Sequence, residues 1–221
     1  VRVTLVIIKM KKINKIGFGV RVGVRVTLTI VGVDEVGRGP IAGPVAVGVF
    51  IFINENAKRL FREAKESKQL NEIQREKWFA KIEEAKRNSL VDFAVSFQSE
   101  KVIDTKGLSW AIKKALVKSL SALKLDSKNV LVLLDGGLKA PPEYINQKTI
   151  IKGDEKELVI ALSSICAKVL RDRKMIRLGH KYPEYGFEIH KGYGTKKHYE
   201  AIKKHGLLKE HRISFLKDFI N

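Results

Sequence analysis
Short apolar runs that alternate in the manner of strands are separated along this chain by longer stretches of helical periodicity. Residues 29–35 read as a strand ending in two adjacent acids, Asp34 and Glu35. A glycine-rich turn spans residues 37–43, and residues 44–53, small and β-branched, read as a second strand antiparallel to the first. Helical spacing is predicted over residues 57–66 and 73–87, the latter opened by Asn71 with Gln74 three residues on, the pattern of a capping box. Residues 91–97 alternate as a strand, residues 108–123 form an amphipathic helix, and the apolar run 130–134 leads into Asp135. A loop with two prolines at residues 139–144 precedes a short strand over 149–152, which meets Gly153 and Asp154. Helical periodicity continues over residues 155–178, and Thr195 caps a last helix that stops before Gly206. Strands first, then strands alternating with helices, predict an α/β fold with a mixed sheet and helices on its faces. Residues 29–221 are expected to form this domain, C-terminal helical region included, since no low-complexity linker divides them.

Residues 1–28 follow another pattern. Val-Arg-Val-Thr-Leu stands at residues 1–5 and again at 24–28, with Lys9, Lys11, Lys12 and Lys15 between. The segment is expected to be a basic, β-prone extension, either an added hairpin, which is the preferred reading, or an arm that touches nucleic acid. The whole chain sets 43 Lys and Arg against 24 Asp and Glu, a formal net charge of +19 over 221 residues. Such an excess points to a polyanionic partner and away from an ordinary small-molecule enzyme. The lysines are spread over several helices, which disfavours a membrane-surface role. A single cysteine, Cys166, cannot form an intrachain disulfide and lies in an apolar helical stretch, as expected of a core residue in a reducing compartment. No apolar run approaches the roughly 18 residues of a spanning helix, so a soluble, cytoplasmic protein without a membrane partner is expected.

Chemistry enters with the acids. Asp34, Glu35, Asp135 and Asp154 stand at the ends of three apolar runs, and ligand sites of open α/β sheets gather at strand ends. Any one of them taken alone is as readily a turn or capping residue. Gathered, four carboxylates would raise one another's pKa unless cations joined them, and oxygen donors without Cys or His spacing favour Mg²⁺ or Mn²⁺ over zinc. Two such ions suit hydrolysis of a phosphodiester. Neighbours on a regular strand point to opposite faces, so a site shared by Asp34 and Glu35 requires the strand to break at Glu35. The turn Gly37-Arg38-Gly39 exposes backbone amides with little side chain in the way.

Taken together, Asp34-Glu35-Val36-Gly37-Arg38-Gly39-Pro40, Ser67-Lys68-Gln69-Leu70, Asp135-Gly136, Lys152-Gly153-Asp154, the run from Ser164 to Asp172, Lys191-Gly192-Tyr193-Gly194-Thr195 and His211-Arg212-Ile213-Ser214-Phe215 closely resemble the ordered motifs of the ribonuclease HII family. The resemblance implies a ribonuclease-H-like fold. It also implies an endonuclease that cuts the RNA strand of RNA/DNA hybrids, and cuts 5′ of single ribonucleotides embedded in duplex DNA, leaving a 3′-hydroxyl and a 5′-phosphate. By that similarity Asp34, Glu35, Asp135 and Asp154 are the catalytic, metal-binding carboxylates for two Mg²⁺ or Mn²⁺ ions. Gly37, Arg38 and Gly39 would read the ribose 2′-hydroxyl, Tyr193 would stack on the following deoxyribose, and Lys68 and Ser164 would contact phosphate. Tyr193 outside this context is equally an ordinary half-buried aromatic, and Lys68 a solvated charge. His190, His198 and His211 lack metal-site spacing and are assigned no role. Departures from the family pattern are Val36, Glu66, Leu162, Ser163 and Leu170. The competing readings are a ribonuclease HIII-like hybrid nuclease, against which Arg38 argues, and a non-catalytic basic nucleic-acid binder. No protein partner is evident, and a monomer is expected.

Overall fold
In the computed structural model, residues 28–64 and 67–220 are described, and five strands form one mixed sheet in the order β3-β2-β1-β4-β5. The expected N-terminal hairpin or arm, Glu66 and the side chain of Lys68 lie outside the described residues. Strands β1 (Thr29–Val36) and β2 (Val45–Phe52) pair antiparallel, and β3 (Val91–Gln98) extends the sheet antiparallel beyond β2. On the other side β4 (Val130–Asp135) runs parallel to β1, and β5 (Gln147–Ile150) parallel to β4.

Strand alternation sorts side chains onto two faces. Val31, Val33, Val47, Val49, Val132 and Leu134 form one core with Ala111, Ile112, Ala115 and Leu116 of α3 (Leu108–Ala122). Phe50, Phe52 and Leu133 form a second core with Phe79 and Ile82 of α1 (Glu72–Arg87) and with Ile160, Leu162 and Ile165 of α5 (Leu158–Lys181). Strand β2, covered on both faces, is buried at all eight positions and so reads as a continuous apolar run. Helix α5 lies close against the sheet because two glycines leave room for its backbone. A methyl group at Gly32 would stand 2.2 Å from the Val159 carbonyl, and one at Gly48 2.5 Å from that of Ser163. A third core, with Ile41, Met175, Tyr185, Phe187, Ile202 and Leu216, lies under the turn after β1. It takes in the short α6 (Phe187–His190) and α7 (Lys196–His205).

The mixed α/β sheet agrees with expectation, as do the antiparallel pair, the Asn71–Gln74 capping box and the Thr195 cap. Four elements differ. Where a helix is expected over 57–66, the chain forms a 3₁₀ helix at Glu55–Phe61, opened by the Asn54 side chain accepting from the Asn56 amide. Helix α2 (Glu100–Lys106) escapes the periodicity because seven residues are too few to show it. Strand β5 begins two residues earlier than expected, since Gln147 pairs with Val132. The helix expected from residue 155 is two helices, α4 (Gly153–Lys156) and α5, divided at Glu157, whose backbone is extended. Among the described residues no helix is long and apolar enough to cross a membrane.

Candidate active site
Asp34 lies one residue beyond the last β1–β4 pair and Asp135 ends β4, and both follow the alternation that faces α5: Gly32 packs on Val159, and Leu133 belongs to the α5 core. Asp34 is buried and receives a hydrogen bond from the Ser164 hydroxyl of α5. Ser67 Oγ lies 2.8 Å from Ser164 Oγ. Burial, with Glu35 and Asp135 nearby as like charges, pushes the Asp34 carboxyl up to about 7.

Glu35 departs from expectation. The strand does not break there: β1 runs to Val36, with Glu35 opposite Val47 and Val36 opposite Ala46. Pairing with β4 has ended at Val33, but pairing with β2 persists and holds the backbone extended. By alternation Glu35 starts from the α3 face, opposite Asp34. Its carboxylate nonetheless feels Asp135 as a like charge, and burial raises its pKa. Oε1 accepts from Arg38 Nη1 at 3.0 Å, while Oε2 is buried with no partner. Asp135 Oδ1 accepts the Gly153 amide at 2.6 Å, which brings the start of α4, and with it the buried Asp154, beside the strand end. Among the described residues no three Asp, Glu, His or Cys side chains are drawn tightly enough to enclose an ion. Glu35 is turned to Arg38 and Asp135 to Gly153.

The donor chemistry fits a divalent cation all the same. Asp34 is a buried acid with its pKa raised to about 7, Glu35 has an orphaned carboxylate oxygen, and both are raised partly by Asp135. Positive charge brought among them would relieve the repulsion and satisfy that oxygen. All the groups involved are hard oxygen donors.

Beside the acids, Gly37 adopts φ +94°, open to glycine and strained for other residues, and Arg38 and Gly39 are exposed. A methyl group at Gly39 would lie 3.7 Å from Tyr193 Cε1, so the Tyr193 ring, 45% exposed, stands next to this turn. The turn and the Tyr193 loop are bonded directly: the amides of Ile41 and Ala42 both donate to the Gly192 carbonyl, at 2.9 and 3.2 Å.

The histidines set aside by spacing turn out to hold this loop. His198 Nδ1 meets the Tyr193 carbonyl at 2.8 Å, which only accepts, so Nδ1 carries the proton and Nε2 accepts from His211 Nε2 at 3.1 Å. His211 Nδ1 in turn accepts the Leu208 amide at 2.9 Å. His190 Nε2 donates to the Tyr185 carbonyl and its Nδ1 accepts the Gly192 amide, at 2.7 and 3.1 Å. Every ring nitrogen is engaged with all three rings neutral, and burial lowers all three pKa values, His198 to about 4. Sequence spacing carried no signal of this network, because its partners are, apart from the His198–His211 contact, backbone groups. Arg171 and Arg212, both fully buried, stand within the quoted motifs but were assigned no role of their own.

The family model described as Ribonuclease HII matches residues 31–218 of this chain. Ribonuclease HII of Endomicrobium trichonymphae is 43% identical over 186 residues, covering 84% of this chain and 84% of its own length. The crystal structure of ribonuclease H2 from Pyrococcus horikoshii OT3 is 27% identical with a TM-score of 0.68, covering 88% of this chain and all of that one. Bst-RNase HIII, solved in complex with Mn²⁺, shares the fold at 19% identity and a TM-score of 0.65, over 85% of this chain and 67% of its own.

Proposed function
The chain belongs to the ribonuclease HII family and is a metal-dependent endonuclease acting on RNA strands, and we propose that it cuts both RNA/DNA hybrids and single ribonucleotides in duplex DNA by two-metal-ion hydrolysis. The observation that carries this reading is the adjacency of two surfaces: strand-end carboxylates with an orphaned oxygen, and a glycine turn with Tyr193 beside it.

Asp34, Glu35, Asp135 and Asp154 would hold two Mg²⁺ or Mn²⁺ ions. Bound there, the ions supply charge neutralisation at the phosphodiester and acidify the attacking water. The chain's own residues do the rest. Ser164, backed by Ser67, keeps the Asp34 carboxylate in place, and the Gly153 amide does the same for Asp135. Arg38 neutralises Glu35 and has an exposed guanidinium for an incoming phosphate. The Gly37–Gly39 amides recognise the ribose 2′-hydroxyl, and Tyr193 stacks on the next sugar, which lacks that hydroxyl. Attack of water on phosphorus 5′ of the ribonucleotide breaks the bond to the preceding 3′-oxygen, leaving a 3′-hydroxyl and a 5′-phosphate. Lys68 and the surrounding basic surface hold flanking phosphates. Residues 29–221 act as one catalytic unit, in the cytoplasm and as a monomer, and residues 1–28 are an appendage to it.

Three duplexes of one sequence test this: one with a single ribonucleotide, one with a full RNA strand, one all DNA, each with Mg²⁺, Mn²⁺ or EDTA. Cleavage of the first two and not the third, abolished by EDTA, is expected. Cleavage of the hybrid alone would overturn recognition of the embedded ribonucleotide and favour the ribonuclease HIII-like reading.

A further inference from the structure
Arg171 and Arg212 are two cations of zero solvent exposure; burial lowers the pKa of both, and the nearby Arg171 charge adds to the effect on Arg212. Charges so buried are normally paired with carboxylates. Here Glu100, Asp104 and Asp172 supply compensating negative charge, but the hydrogen-bond partners are backbone carbonyls, and nearly all belong to the turn after β1. Arg212 donates from Nε to Gly43 O at 2.9 Å, from Nη1 to Arg38 O at 3.1 Å and from Nη2 to Gly37 O at 2.7 Å. Arg171 donates from Nε to Pro44 O at 2.9 Å, from Nη2 to Ala42 O at 3.4 Å and from Nη1 to Lys191 O at 3.0 Å.

The direction of these bonds has a consequence on the opposite side of the turn. In a trans peptide the carbonyl of one residue and the amide of the next point in opposite directions. Drawing the Gly37 and Arg38 carbonyls inward onto Arg212 therefore turns the Arg38 and Gly39 amides outward, where both residues are exposed. Arg171 does something different. It spans the turn and the Lys191 carbonyl, two residues before Tyr193, and so sets the separation between the turn and that ring. A single planar fork of donors suits each task, and a lysine ammonium would not reproduce it.

We propose that Arg171 and Arg212 are positioning residues for ribonucleotide recognition: Arg212 aims the Arg38 and Gly39 amides at the substrate, and Arg171 fixes the distance from that turn to Tyr193. The proposal rests on the reading of the turn and Tyr193 as the elements that recognise ribose and the following sugar.

The test compares Arg212→Lys and Arg171→Lys with wild type. Steady-state kinetics on the single-ribonucleotide duplex and on the full hybrid are combined with the inhibition constant of the all-DNA duplex, all per folded molecule well below the melting temperature. Arg212→Lys is expected to lower kcat/KM on the single-ribonucleotide duplex at least about tenfold, as loss of an amide contact requires, with inhibition by DNA changed less than about twofold. Arg171→Lys is expected to lose more on the single-ribonucleotide duplex than on the hybrid, because only the former depends on Tyr193 at a junction. Unchanged kinetics per folded molecule, with only the melting temperature lowered, would overturn the proposal. If neither lysine variant folds, Gly37→Ala replaces them, since a methyl group there would stand 2.3 Å from Arg171 Nε and displace the guanidinium without removing charge. Retention of wild-type selectivity in Gly37→Ala would equally overturn the proposal. A wild-type protein that cuts the hybrid and ignores the single ribonucleotide would instead overturn the underlying reading, whatever the variants do.

Discussion
Two charged regions stand a few residues apart in this molecule, and they treat buried charge in opposite ways. At the strand ends, burial and the neighbouring Asp135 charge raise the proton affinity of Asp34 and Glu35, and an oxygen of Glu35 has no partner. Behind the turn, Arg171 and Arg212 direct six donor bonds to backbone carbonyls, one from each guanidinium nitrogen. The acidic region has electrostatic demand left over, which suits a cation and a reaction. The cationic region has satisfied its demand internally, and the product of that satisfaction is a fixed shape. Charge left unbalanced is available for chemistry, whereas charge hydrogen-bonded to the backbone serves geometry.

The comparison breaks most visibly at Asp135. Asp135→Asn is expected to reduce kcat at least about a thousandfold, the several kcal/mol that metal-ion charge stabilisation contributes, while leaving duplex binding and circular dichroism near wild type. Turnover close to wild type would remove Asp135 from the reaction. A smaller effect is expected at Tyr193, which belongs to the shape-determined region. Stacking of an aromatic side chain on a nucleic acid contributes about 1–3 kcal/mol, so Tyr193→Ala should lose roughly five- to a hundredfold on the single-ribonucleotide duplex. The half-exposed ring contributes little to folding, and a fall in melting temperature that matched the loss of activity would make Tyr193 structural instead.

The smallest expected effect sharpens the role of the histidines. His198 takes up a proton at about pH 4 when folded but near 6.5 when unfolded. Between those values the unfolded chain binds more protons, so stability is retained above pH 6.5 and lost as pH falls toward 4. Thermal melts from pH 7.5 to 4 should therefore show a shallower decline in His198→Asn than in wild type. Parallel declines would mean that His198 titrates alike in the folded and unfolded states, and the Tyr193 loop would then have no proton-linked support.

Much of the molecule was legible before its coordinates. The strand runs, the Asn71 capping box and the acids at strand ends follow from local periodicity and local hydrogen bonding, which depend on residues within a few positions. Two of the failures are tied to contacts distant in sequence. The expected break at Glu35 did not occur because β2, about a dozen residues further on, still pairs with it. The helix expected to be continuous from residue 155 divides at Glu157, next to the turn whose Gly153 amide reaches Asp135, 18 residues earlier.

The sequence by itself determined the mixed α/β fold, the order of its main elements, the excess of basic charge and which residue types could carry the chemistry. These are set by composition and by short-range periodicity. Only the tertiary structure decided that Asp34 and Asp135 share the face of α5 while Glu35 starts from the other. It alone placed Tyr193 beside Gly39, and it gave Arg171 and Arg212 to the carbonyls of a turn more than 120 residues away in sequence. The reason is that a guanidinium recognises a carbonyl oxygen by position and direction, and any residue supplies a carbonyl. No side-chain pattern records which one it will meet.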